Sequence, residues 1–225
     1  MTNLAAPHMD LDESHARFRA QLFQWREVHA AAHIYALLDP NHPVAPHDQL
    51  HPSGLTKREV TRHIESVVRP DLAHELALLP KLVQLYVAGE SGYADEPMLD
   101  LTLRSAATRC RSVNGAYVAG WMCSEASPAT AAEYLARSGT MFDLSKGRQR
   151  YLPIFEPYRM ALLADDPQAE SFLQRWLGPF IHWMFIDSCG TVRTVSRHAD
   201  STTSGGAAGL DRTLFEAQER IKQLR

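Results

Sequence analysis

The sequence predicts an α/β fold: a mixed, mainly parallel sheet flanked by helices, with a C-terminal antiparallel hairpin and a separate terminal helix. Strand-type runs alternate with helix-type stripes through the first two thirds of the chain, which implies crossover connections and parallel pairing. Near the end, 181–186 (IHWMFI) and 191–195 (TVRTV) flank the compact DSCG connection at 187–190, which suits an antiparallel hairpin. With 225 residues, 45% of them hydrophobic, the chain has material for one sizeable core plus a tail.

The elements follow in order. Phe18, Leu22, Trp25 and Val28 recur at helical spacing, and acidic residues at the start of 12–28 favour the dipole, so this stretch predicts an amphipathic helix. The run 34–38 (IYALL) is apolar throughout and stops at Asp39-Pro40, as a short buried strand does. After a Pro-rich loop, Thr56-x-x-Glu59 reads as a capping box with Leu55 and Val60 at staple positions, opening a helix lined by Val60, Ile64 and Val67 that Pro70 breaks. Residues 82–87 (LVQLYV) predict a second strand. From 97 to 113, Leu99, Leu103, Ala106, Cys110 and Val113 draw one helical stripe, which Asn114-Gly115 stops. Residues 117–123 predict a third strand. Ser127 then caps a helix with Pro128 in its first turn, ending at Gly139. Residues 150–155 (RYLPIF) predict a fourth strand, at an edge or bulge because Pro153 removes a donor, and short helices follow from Pro157 and Pro167.

A formal charge of −3 and a pI near 6.4 supply no field to gather phosphates, so nucleic-acid and anionic-membrane partners are disfavoured. The opening residues lack a basic segment followed by an apolar run, and no stretch approaches the roughly 20 apolar residues of a membrane span. A soluble cytoplasmic protein is expected. Three cysteines, Cys110, Cys123 and Cys189, form no CxxC pair and fit reduced thiols.

No GxSxG elbow, phosphate-binding glycine loop, HExxH helix or dinucleotide fingerprint occurs. The best metal candidate, His42, His47 and His51 with Asp48, lies in one Pro-rich loop without preformed geometry, and an exposed polar loop explains it as well. Cys123, at a strand end before Ser124 and Glu125, is the one imaginable nucleophile, although nothing local lowers its pKa. His182 alternates with large apolar neighbours and reads as a satisfied or solvent-facing strand histidine. Asp165 and Asp166 before Pro167 are explained as helix capping. Trp176, Phe180, Trp183 and Phe185 supply core more often than a groove. The expectation is a non-enzyme without cofactor or metal. The alternative is a small cytoplasmic hydrolase or transferase with its site at the strand ends, using Cys123 or an unpaired histidine.

The segments 147–159 (GRQRYLPIFEPYR) and 172–183 (FLQRWLGPFIHW) resemble the signature region of bacterial type VI secretion effector adaptors, the Tap/Tec-like chaperones. Residues 35–39 (YALLD), 79–85 (LPKLVQL) and 120–124 (GWMCS) are similar, in order, to that family's first three strands, so the resemblance spans roughly Ile34 to Val195. Two positions depart from it: Pro153 and Tyr158 stand where the family commonly has arginines. The helical lobe at the end of many relatives is reduced to a linker and one helix. The resemblance implies an adaptor that binds a secreted effector toxin in the cytoplasm and loads it onto the secretion spike tip protein, with no cofactor or turnover.

The domain organisation expected is an N-terminal helix within 1–32 packed on the domain, an α/β adaptor domain at 33–200, a flexible small-residue linker at 201–209, and an amphipathic helix at 210–225. In the last, Leu210, Leu214, Ala217, Ile221 and Leu224 alternate spacings of four and three. A helix this short needs a surface, whether the domain itself, a second copy or the cargo. Leu214, Phe215, Ile221 and Leu224 are therefore the candidate partner-binding residues, for an effector or for self-association.

Overall fold

The stripe of Phe18, Leu22 and Trp25 does fold as a helix, α1 (Leu11–Val28), and all three side chains are buried. Val28, also on the predicted stripe, is instead 65% exposed in the last turn. The structure is a computed structural model, and it describes residues 11–40, 44–56, 63–69, 72–90, 96–110, 116–143 and 147–198. Along these the elements are α1, β1 (His33–Leu38), α2 (Pro52–Thr56), β2 (Ile64–Ser66), β3 (Lys81–Tyr86), α3 (Glu96–Arg109), β4 (Val118–Ser124), α4 (Pro128–Ser138), β5 (Thr140–Asp143), β6 (Arg148–Tyr151), α5 (Pro157–Asp165), α6 (Glu170–Leu177), β7 (Phe180–Ile186) and β8 (Val192–Ser196). Short 3-10 turns occupy Leu76–Leu78 and Pro167–Ala169.

The expected mainly parallel sheet is not what forms. Six strands lie in the order β2-β3-β1-β4-β7-β8, and every neighbouring pair is antiparallel. The strand–helix–strand pattern of β3, α3 and β4 does set those two strands in the same direction. They are not partners, because β1 runs between them in the opposite sense, with Leu37 opposite Leu82 on one side and Gly120 on the other. The second cause of the error is burial. Apart from His33 at the start of β1 and Ser124 at the end of β4, these two strands are buried runs without polar alternation, the usual mark of a parallel sheet covered on both faces. Here an antiparallel sheet is covered on both faces: Ile34, Ala36 and Leu38 join the side chains of α1, α2 and α3, whereas Tyr35 and Leu37 join those of α4, α5 and α6.

Two further expectations fail locally. The helix predicted from Thr56 to Pro70 does not run its length: residues 57–62 lie outside the described residues, and Ile64 lies in edge strand β2 opposite Val83. Val67 is buried beyond that strand, its N–H bonded to the Pro80 carbonyl at 2.8 Å. Pairing with β3 thus overrides the local helix signal, while Glu59 and Val60 lie outside the described residues. The predicted fourth strand overlaps β6 only at Arg150 and Tyr151, and among the described residues β6 pairs with β5 in a separate two-stranded ladder. Beyond it Pro153 cannot donate, and Leu152, Ile154 and Phe155 are buried as irregular chain.

Other local signals act as their chemistry dictates. Ser127 Oγ accepts the Thr130 N–H at 3.3 Å at the start of α4, and Pro128 occupies the first turn. The β7–β8 hairpin closes on Asp187, whose Oδ1 accepts the N–H groups of Cys189 and Thr191, each at 2.9 Å. Among the described residues no helix is long and apolar enough to cross a membrane.

Candidate functional site

The four partner-binding candidates, Leu214, Phe215, Ile221 and Leu224, and the linker before them lie outside the described residues. The other singled-out residues are placed, and most are tied into the fold. Cys123 is wholly buried, and burial, with Glu125 adding to it, pushes its thiol up to about 12, so it is not a thiolate near neutrality. Asp166 Oδ1 accepts the Gln168 N–H at 3.0 Å, the capping role expected. Asp165 does something else: both its oxygens take the Arg193 guanidinium fork, at 2.6 and 2.9 Å, linking α5 to β8. In the Pro-rich loop, Asp48 Oδ1 accepts the Leu50 N–H at 2.9 Å and His51 Nδ1 lies 2.9 Å from Ser53 Oγ; His42 is outside the described residues. Trp176, Phe180, Trp183 and Phe185 are all buried against α4 and α5, as core. In the signature region, Arg159 Nε donates to Glu156 Oε2 at 2.6 Å, and Tyr158 is exposed.

His182 has more company than its sequence context suggested. Its ring stacks on Trp25, with centroids 4.9 Å apart and planes at 14°. Nδ1 lies 2.8 Å from Ser196 Oγ, and Nε2 lies 3.1 Å from His29 Nε2. Burial, with the neighbouring His29 adding to it, depresses its pKa to about 4. The sign follows directly. Above the ordinary value of 6.5 both folded and unfolded chains hold a neutral ring; below it the unfolded chain takes a proton that the folded chain resists. Stability should therefore fall as pH drops from about 6.5 towards 4, the loss being complete only below about 4. Thermal melts of chelator-treated protein between pH 7 and 4 should show this acid loss shrink in His182→Gln, and an unchanged pH profile would contradict it.

A second histidine is held differently. His33 Nδ1 accepts from the Ala88 N–H at 3.1 Å and faces Gln84 Nε2 at 3.1 Å, so its proton sits on Nε2. Burial lowers its pKa.

Among the described residues, the most exposed large apolar side chains besides Val28 lie at the β2 edge of the sheet. Val68 just after β2, and Leu76 and Leu78 in the turn before β3, are 44%, 55% and 47% exposed. Lys81 Nζ ties the region together by donating to Ser66 Oγ at 2.6 Å and to the Leu76 carbonyl at 3.1 Å. Within the β2–β3 ladder, Gln84 N–H bonds to the His63 carbonyl and Val67 N–H to that of Pro80, so the odd-numbered residues face β3. The backbone groups of Ile64 and Ser66 point away and enter no ladder among the described residues. From the residues alone, the segment between Pro70 and Pro80 is ambiguous in structure. The clue available there was Leu76 and Leu78 in a segment too short to bury both.

Neither a scan against protein-family models nor searches of the curated proteins and of the solved structures finds a match to this chain.

Proposed function

We propose that this chain is a cytoplasmic adaptor: it binds a secreted effector protein and hands it to the tip protein of a secretion spike, the role implied by its resemblance to the type VI secretion effector adaptors. The observation that carries the binding reading is the β2 edge. Three exposed aliphatic side chains, Val68, Leu76 and Leu78, flank a three-residue edge strand with outward backbone groups, which is the form of a surface that receives an extended segment of another protein. Effector backbone would extend the ladder at Ile64 and Ser66, and its apolar side chains would cover the leucines.

Co-purification with a candidate secreted effector tests the reading. Leu76→Asp with Leu78→Asp should weaken capture roughly 10-fold or more while lowering the melting temperature little, because about half of each side chain is already in water. Leu214→Asp with Ile221→Asp probes the C-terminal stripe in the same assay. If both double variants capture effector like the parent chain, or if the effector accumulates and is secreted equally well in cells lacking this chain, the adaptor reading fails.

A further inference from the structure

We propose that His29 and His182 form a two-histidine site for a borderline divalent transition metal of the zinc, nickel or copper class, whose remaining positions are filled by water or an outside donor. The geometry is the argument. The two Nε2 atoms are 3.1 Å apart and the ring centroids 5.1 Å apart. Two imidazoles on one tetrahedral ion, at the usual ~2.0–2.1 Å bonds, have nitrogens about 3.3 Å and ring centres about 5.2 Å apart. In a cis square-planar arrangement the nitrogens come to about 2.9 Å. The observed pair falls between these values, so an ion would enter with a few tenths of an ångström of adjustment.

Both rings are also held in place before any ion arrives. His29 directly follows α1, its N–H bonded to the Trp25 carbonyl at 2.8 Å, and its own carbonyl accepts from the Ala32 N–H at 2.9 Å, so the root of the side chain is fixed on both sides. His182 is fixed by its stack on Trp25 and by Ser196. A proton on Nδ1 donated to Ser196 Oγ leaves the Nε2 lone pair pointing at His29, the outer-shell arrangement that metal-bound histidines usually have. Arg26, on the last turn of α1 before His29, has its guanidinium 4.0 Å over the Tyr86 ring. Neutral imidazole nitrogens suit zinc, nickel and copper ions, and the pair is only part-buried. Bound there, the ion would pin the end of α1 to β7 across 153 residues of sequence.

The test is calorimetric titration of tag-free, chelator-stripped full-length chain with zinc chloride and, separately, nickel chloride at pH 7.5. One site per chain should bind at least about 10-fold more tightly than the other surface histidines, and it should disappear in His29→Gln and in His182→Gln alike. Ser196→Ala should weaken it about 10-fold, and His51→Gln, in the Pro-rich loop, should leave it intact. His29 lies only part-buried just after a helix end, so His29→Gln remains informative even if His182→Gln fails to fold. Titrations of His29→Gln that match the parent chain, or a parent chain with no distinct tight site, would overturn the proposal and leave the two rings as a hydrogen-bonded pair.

Discussion

Gly120→Ala is expected to lower stability by about 3–5 kcal/mol, the sum of an overpacking and a backbone-strain cost, and to lower the melting temperature by roughly 6–20 °C. Gly120 sits where β4 bulges against β1: Leu37 faces Gly120 while Leu38 already faces Val118, so Ala119 is the extra residue. Its φ of +156° is one that side chains rarely adopt, and a Cβ there would stand 2.5 Å from Trp183 Nε1 and 2.6 Å from the Met184 carbonyl oxygen. Neither neighbour has room to yield. The carbonyl belongs to β7 in the middle of the sheet, and the Trp183 indole is wedged between Trp176 and Phe180, whose ring centroids lie 5.1 and 5.4 Å away. Gly89→Ala is the control: its φ is +81° but nothing lies within 4 Å, so it should cost only about 1–2 kcal/mol of backbone strain. Thermal and urea melts of the two variants separate steric from conformational cost. A Gly120→Ala protein no less stable than Gly89→Ala would contradict the register of β4 against β7.

Where an element's cause is local, it could be read from the residues. Phe18, Leu22 and Trp25 are three marks of one helical face, Ser127-Pro128 starts a helix by its own hydrogen bonding, and Asp187-Ser-Cys-Gly190 closes a hairpin on itself. Strand partnership has no such local cause. The direction of β4 relative to β3 is implied by the single helix between them, but the insertion of β1 in the gap depends on a pairing between Leu37, Leu82 and Gly120, which are far apart in sequence. Ile64 shows the same limit at smaller scale: its spacing from Val60 and Val67 fits a helix, and its opposition to Val83 decides for a strand. The candidate sites divide likewise. The apolar character of Leu76 and Leu78 is written in the chain, yet their exposure depends on the turn ahead of β3. The meeting of His29 with His182 joins a helix end to a strand through tertiary packing alone.

Trp121→Ala should cost about 3–5 kcal/mol, the range for removing a large buried aromatic, and its effect should fall on one face of the sheet. Trp121 is fully buried on the side of β4 that meets α1 and α3. The Phe18 and Trp121 rings meet edge to face with centroids 4.3 Å apart, and the Trp121 indole N–H donates to Thr102 Oγ1 at 3.0 Å, which in turn donates to the Leu99 carbonyl at 2.8 Å. Alanine leaves a cavity between two helices and the sheet, and Phe18 loses the ring that anchors the middle of α1. Trp121→Phe keeps an aromatic against Phe18 and removes the indole N–H together with a smaller part of the ring volume than alanine does. Because Thr102 Oγ1 retains its bond to the Leu99 carbonyl, no buried group is orphaned, and the cost should be nearer 1–2 kcal/mol. Amide hydrogen exchange supplies the spatial check, since α4 packs on the opposite face with Tyr35, Leu37 and Met122. In Trp121→Ala, protection should fall more across α1 than across α4. Equal loss in both helices, with the cooperative melt intact, would mean that the two faces of the sheet are not separately packed layers and would overturn the assignment of Trp121 to one of them.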